Sequence, residues 1–380
     1  MDNFFYHNPT KVIFGKETIP QIGDEIKRRE WKKVLLLAGG GSIKTNGVYD
    51  AVIDSLQSAG IEWVEVWGVR VNPLLEKVYE TISTAKRENV DAILGVGGGS
   101  VIDSAKAVAA GCKMNDIWTA FKEKIEVETA LPVFCVLTLS ATGTEMDPFA
   151  VITHEKEKKK WPISGPALYP VVSIIDPSVQ ASLPAIQTAY GGIDAMSHIM
   201  EFHFMGTIEE TTIALNESLM RSIIKTVDRL QENPADYNSR ASLAWATTLA
   251  LNGISGIGLK GGDWATHFIE HSISALYPHI AHAGGLAIVF PAWILHMQNY
   301  NPQGFQRWAQ QVWNAGSVET AVEAMRAKYN RWGVVTSLYD AGIPASEIQA
   351  LADNAFQSSP LGQLKILSRD DIVLILQLAA

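Results

Sequence analysis

Four of the nine histidines in this 380-residue chain fall between Asp263 and Gly285: His267, His271, His279 and His282. His267 and His271 are four residues apart, so on a helix they share a face. Upstream, Gly191-Gly-Ile-Asp-Ala-Met-Ser-His198 gives Asp194 and His198 the same spacing. Helices that turn one carboxylate and several imidazoles inward outline a divalent-metal site. One histidine four residues from another polar group is ordinarily a satisfied core or surface residue. Two such pairs and a further cluster, all in apolar segments, favour the metal.

The elements that must hold these residues follow from the hydrophobic pattern. Lys33-Val-Leu-Leu-Leu-Ala38 has the length and apolarity of a buried strand, and it runs into Gly39-Gly40-Gly41-Ser42. A helix near Gly47–Ser58 and a strand Glu62–Val66 follow. The pattern repeats with Asp91–Val96 as strand, Gly97-Gly98-Gly99-Ser100 as loop and Val101–Ala110 as helix. Strand, glycine loop and helix in that order are the βα units of a doubly wound sheet. Glycines let a pyrophosphate approach the backbone, and the helix N-terminus offers unpaired N–H groups and a positive dipole end. Asp103 and Lys106 lie on the first turns of that helix, within expected reach of ribose or phosphate. The loop departs from Gly-x-Gly-x-x-Gly, because Val101 and Ile102 fill its last positions.

Pro132–Leu137 reads as another buried strand, leading into Thr138-Leu-Ser-Ala-Thr-Gly-Thr-Glu145, whose hydroxyls suit a nucleotide or a solvated loop equally. Val151–Lys160 reads as a strand and charged hairpin tip, and Val171–Ile175 as a last strand. Beyond Leu183-Pro184 the pattern becomes helical: Thr211–Gln231, Asn238–Asn252, Ala265–Leu276, Asn301–Asn314, Val318–Trp332, Ser346–Phe356 and a final helix from Asp370. Two domains are expected, residues 1–184 α/β and 185–380 all-helical, the second bearing the histidines. Residues 4–14 are expected to be extended and Thr18–Arg29 helical.

Composition narrows the function. The chain is 47% apolar, enough for a sizeable core, and its net charge of −9 argues against a nucleic-acid surface. The opening Met-Asp-Asn-Phe-Phe carries no basic-then-apolar signal, and no apolar run approaches membrane-spanning length. Cys112 and Cys135 sit in apolar surroundings, as reduced core residues would. A cytoplasmic protein with a small-molecule substrate is the expectation.

In combination, several motifs resemble the iron-dependent (group III) alcohol dehydrogenase family, and within it the butanol dehydrogenase branch. They are Asn8-Pro-Thr-Lys-Val-Ile-Phe-Gly15, Gly97-Gly-Gly-Ser-Val-Ile-Asp103, Leu137-Thr-Leu-Ser-Ala-Thr-Gly-Thr-Glu145, Asp194-x-x-x-His198, and Trp264-Ala-Thr-His267 followed by His282-Ala-Gly-Gly. The resemblance implies a Rossmann-like nucleotide-binding domain followed by an all-α domain, the dehydroquinate synthase-like architecture. It implies Asp194, His198, His267 and His282 as ligands of Fe²⁺ or Zn²⁺, with His271 beside the site as a proton relay or a packing residue. It places the pyrophosphate of NAD(H) or NADP(H) at Gly98, Gly99 and Ser100. Asp103, Thr138, Thr142, Asn72 and Lys160 would line the same cleft, and Asp147 would lie near the nicotinamide. The implied chemistry is Lewis-acid activation of an alcohol or aldehyde oxygen, with hydride transfer to or from the nicotinamide. A homodimer is implied as well.

Two features depart from the family pattern. His282 follows His271 by eleven residues rather than the expected ten, so Tyr277–Ala281 carries one extra. Asp147 replaces a neutral residue. Where NAD-selective relatives place an acid after the first strand, this chain has Gly40, with Gly41, Ser42 and Lys44 following. With no carboxylate there to repel a 2′-phosphate, NADPH is expected to be preferred. Two other readings are a glycerol-type polyol dehydrogenase of the same fold, and a zinc peptidase. In the latter, His267-Phe-Ile-Glu270-His271 supplies both zinc ligands and Glu270 the base, which leaves the glycine loops and the Asp194/His198 pair without a task.

Overall fold

The computed structural model describes residues 1–380. Eight strands form: β1 (Lys11–Phe14), β2 (Lys33–Ala38), β3 (Glu62–Val66), β4 (Ala92–Gly97), β5 (Val133–Leu137), β6 (Phe149–His154), β7 (Lys159–Ser164) and β8 (Val172–Ile175). Six of them make one parallel sheet in the order β1-β8-β5-β4-β2-β3, and β6 and β7 pair as an antiparallel hairpin. The strands read as continuous apolar runs because both faces of the sheet are covered. Along β2, Val34, Leu36 and Ala38 join one core cluster and Leu35 and Leu37 join another. Helices α1 (Ile22–Lys27), α2 (Ser42–Thr45), α3 (Val48–Ala59), α4 (Leu75–Arg87), α5 (Gly99–Gly111) and α6 (Ile117–Glu123) occupy the connections.

β2 has β3 on one side and β4 on the other, so the chain leaves β2 toward one edge of the sheet and leaves the adjacent β4 toward the other. That is the switch point where open α/β sheets bind ligands, beyond the carboxyl ends of the strands. Adjacent parallel strands therefore bring the turns at Gly39–Ser42, Gly97–Ser100 and Thr138–Glu145 to the same edge, after β2, β4 and β5 respectively.

From Ala185 the chain is helical: α7 (Ala185–His203), α8 (Glu210–Glu232), α9 (Tyr237–Leu251), α10 (Ala265–Leu276), α11 (His282–Met297), α12 (Pro302–Trp313), α13 (Val318–Arg331), α14 (Ile348–Phe356) and α15 (Arg369–Leu378). The α/β-plus-all-α expectation holds. Helix ends carry their local signals. Asn301 caps α12 through Gly304 N with Pro302 in the first turn, Ser317 caps α13, and Ser368 with Asp371 forms a capping box on α15.

The chain forms two compact units. One comprises His7–Leu183 and Asn233–Thr248; the other comprises Met1–Tyr6, Pro184–Glu232 and Leu249–Ala380. Most of α9 thus belongs to the sheet unit, where Thr248 Oγ1 donates to the buried Glu145 Oε1 at 2.5 Å and Trp245 meets Phe14 edge-on. The expected Thr18–Arg29 helix is instead a 3₁₀ turn, Ile19–Gln21, followed by α1. Pro20, which has no N–H to give, sits inside that turn. Only Lys11–Phe14 of the expected extended segment becomes strand. No helix is long and apolar enough to cross a membrane.

Candidate active site

Within the helical unit, α7 turns Asp194, His198 and Glu201 toward one side, at positions i, i+4 and i+7, and all three are buried. α10 does the same with His267, Glu270 and His271. α11 packs against both helices and begins at His282. Ligand atoms of Asp194, His267 and His282 lie within 4.8 Å of one another, and so do those of Glu270, His271 and His282. His282 Nε2 is 3.7 Å from Asp194 Oδ1. The His198 ring stacks on His267 at 4.8 Å, and its Nδ1 is buried with no hydrogen-bond partner. Burial, with His267 adding to it, holds His198 well below the usual imidazole range, so it is neutral and able to donate a lone pair. One carboxylate and two imidazoles converging at this range, with the His198 ring stacked beside them, fit a divalent ion.

The segment Tyr277–Ile280, where one extra residue is expected, is a turn. Tyr277 N bonds back to Ile273 O, Ile280 N bonds to Tyr277 O, and Pro278 and His279 stand exposed between them. The turn carries His279 outward and delivers His282 to the first position of α11.

Two further carboxylates belong to this cluster, and their role is not apparent from spacing alone. Glu201 accepts from Trp264 N at 2.6 Å and from Thr266 Oγ1, and its Oε1 is 2.6 Å from His267 Nδ1. Burial pushes its carboxyl up to about 7. Glu270 accepts from Ser274 Oγ with one oxygen and meets His282 Nδ1 with the other. This removes the peptidase reading, because the carboxylate that would be the base is engaged by Ser274 and His282. Glu201 lies three residues past His198 on the same face, a signal that was present in the sequence.

In the sheet unit, α5 begins at Gly99 with no side chain capping it, so its first N–H groups are directed at the loop edge. A Cβ on Gly99 would come within 2.9 Å of Thr142, and one on Gly98 within 3.2 Å of Leu139. The glycines therefore admit the neighbouring 138–142 loop as well as leaving the backbone accessible. Ser100, Thr138 and Thr142 are half-buried around this turn. Nothing lies within 4 Å of a Cβ built on Gly40 or Gly41, and Gly41 has φ +109°. The buried Lys160 Nζ donates to Asn72 Oδ1 at 3.0 Å. An uncapped helix end, an open glycine turn and flanking hydroxyls fit a dinucleotide.

Three polar residues assigned to this cleft are otherwise engaged. Asp147 is 2% exposed and accepts from Lys106 Nζ at 2.8 Å and from Phe149 N at 2.7 Å. Lys106, fully buried, also donates to the carbonyls of Asp147 and Phe149, so its ammonium is satisfied within the sheet unit. Asp103 accepts from Thr144 Oγ1 at 2.7 Å and from Val151 N at 3.0 Å, which turns it toward β6. Burial pushes its carboxyl up to about 6, against the pull of Lys106. The reason is common to all three. A charge buried where α5 packs against the segment entering the hairpin is expensive to leave unpaired, so the two elements satisfy each other's charges.

A parallel-sheet nucleotide unit joined to a helical unit with an Asp/His centre defines the dehydroquinate synthase-like class. The sequence matches the family model for iron-containing alcohol dehydrogenase over residues 9–177, and the C-terminal model of the Fe-containing alcohol dehydrogenase family over 188–380. It is 39% identical over 388 aligned residues to a probable NADH-dependent butanol dehydrogenase 1 of Bacillus subtilis, with 99% of each chain covered. It is 34% identical to the NADPH-dependent aldehyde reductase YqhD of Escherichia coli, with 92% of each covered. The crystal structure of an NADH-dependent butanol dehydrogenase A from Thermotoga maritima superposes with a TM-score of 0.98 at 52% identity, covering 100% of this chain and 99% of that one. The chain belongs to the iron-containing alcohol dehydrogenase family. It is an NAD(P)-dependent oxidoreductase that interconverts alcohols and aldehydes.

Proposed function

We propose that this enzyme reversibly reduces short- and medium-chain aldehydes, butanal among them, to primary alcohols, and that it works as a cytoplasmic homodimer. The observation that carries the reading is the convergence of Asp194, His267 and His282, with His198 stacked beside them. These four residues would hold the divalent ion, which when bound supplies Lewis-acid polarisation of the substrate oxygen. Gly98, Gly99 and Ser100 would bind the cofactor pyrophosphate at the start of α5 and thereby orient the nicotinamide. Gly40, Gly41, Ser42, Thr138, Thr142, Asn72 and Lys160 would complete the cofactor cleft. His271 sits beside His282, with ring centroids 5.4 Å apart, and is assigned the transfer of the substrate proton toward solvent. His271→Ala should retain the metal and lower kcat by about 100-fold or more. Full turnover in that variant refutes the assignment.

NADPH should be accepted and preferred. No carboxylate stands at Gly40, and the acid on the neighbouring strand, Glu65, is taken by Tyr49, Trp63 and Trp67. Lys44 lies 4.1 Å over the Trp67 ring, adding positive charge near the turn. Steady-state kinetics with butanal and either reduced cofactor test both points. Oxidation of NADPH should require added Fe²⁺ or Zn²⁺ after chelation. Full activity in protein shown metal-free by elemental analysis disproves the metal dependence, and a kcat/KM strongly favouring NADH disproves the preference.

A further inference from the structure

Resting on the metal-site reading above, we infer that Glu201 and Glu270 are positioning residues that fix which nitrogen of His267 and of His282 faces the ion. An imidazole has two nitrogens, and either can bind metal unless something occupies the other. In both histidines Nδ1 meets a fully buried carboxylate. An N–H donated from Nδ1 to a carboxylate leaves the Nε2 lone pair as the one available ligand atom and raises its basicity. His282 Nε2 does face Asp194.

Both carboxylates are held by neighbouring groups as well as by the histidines. Glu201 holds Trp264 N, Thr266 Oγ1 and His267 Nδ1, all at the start of α10. Trp264 there has φ +64°, a conformation unusual for a side chain of that size, and the bond from its N–H to Glu201 holds it. Glu270 is held by Ser274 one turn further along its own helix.

The two carboxylates form a chain across three helices. Glu201 on α7 sets the histidine of α10, and Glu270 on α10 sets the histidine of α11. Gly285 fits the same arrangement. A Cβ there would lie 2.7 Å from the Glu270 side chain, which Ser274 and His282 hold in place, so only glycine lets the first turn of α11 come down onto it. Glycine is thus needed at the end of the His282-Ala-Gly-Gly segment because of the carboxylate behind His282.

The test is metal affinity. Wild type, Glu201→Gln, Glu270→Gln and Gly285→Ala are stripped of metal, then titrated with Zn²⁺ in competition with a chromophoric chelator and with Co²⁺ by visible absorption. Each variant should bind Zn²⁺ about 10–100-fold more weakly, the range seen when outer-shell partners are changed. The Co²⁺ band should shift, while the far-UV circular dichroism of the stripped proteins stays that of wild type. Gly285→Ala keeps both carboxylates and displaces only Glu270, so its loss of affinity isolates geometry from charge. Wild-type affinity and an unchanged Co²⁺ band in both Gln variants overturn the inference alone, even if their melting temperatures fall, because that is the mark of a purely structural role. Wild-type protein that takes up neither ion overturns the metal reading and this inference with it.

Discussion

At the residue scale, two chemically equivalent histidines, His279 and His282, are told apart by a turn. His279 is exposed between Tyr277 and Ile280, and His282 faces Asp194. His282→Ala should abolish retention of the ion and turnover, since losing a ligand costs at least the roughly 10–100-fold that outer-shell changes cost. His279→Ala should keep both. Elemental analysis of the purified variants decides, and metal lost from the 279 variant but kept in the 282 variant reverses the assignment. Gly40→Asp belongs to the same scale. The site is open around a Cβ there, so the backbone should tolerate the change, and the new carboxylate should shift the NADPH/NADH ratio of kcat/KM toward NADH.

At the element scale, the helix starts are set by short-range chemistry that can be probed by pH. Asp371 accepts from Ser368 Oγ and N at the start of α15, from Lys365 Nζ at 2.5 Å and from His296 Nε2 at 3.1 Å. Burial raises its carboxyl, but these partners outweigh it and hold it well below the usual carboxylate range. A depressed folded pKa gives stability that is present above the unfolded value of about 4 and is lost as pH falls through the folded value. Asp371→Asn should therefore cost about 1–3 kcal/mol near neutral pH. The difference from wild type should begin to narrow as pH falls below about 4, where the unfolded carboxyl takes up a proton that the folded one still resists, and should vanish only once the folded carboxyl is protonated too. Denaturant unfolding at several pH values measures it, and a difference independent of pH rejects the ionic account. Capping boxes and the i, i+4 histidine spacing are legible in sequence because both partners lie within a turn of each other. The split of Thr18–Arg29 was signalled by Pro20.

At the scale of the whole molecule, the ion would tie α7, α10 and α11 together, so metal binding should appear as stability of the helical unit. A ligand present at about 1,000 times its dissociation constant adds about 4 kcal/mol. Calorimetry should show a transition that moves down on chelation and returns with Zn²⁺. A melting profile indifferent to chelator contradicts it.

The sequence by itself determined the strands of the parallel sheet and the change to helix: apolar runs of strand length, two of them ending in glycine turns, then helical periodicity from residue 185 onward. It also supplied the local pairs Asp194/His198 and His267/His271, because helical geometry places residues four apart on one face. Only the tertiary structure decided which carboxylates serve the site. Asp103 and Asp147 carry the right chemistry beside the glycine loop, yet Thr144, Val151, Lys106 and Phe149 engage them, partners on α5 itself or on the loop and hairpin packed over it. Glu201 and Glu270 meet histidines 66 and 12 residues away. A buried charge takes whichever partner the fold delivers, and that delivery depends on the packing of helices distant in the chain, which no local spacing records.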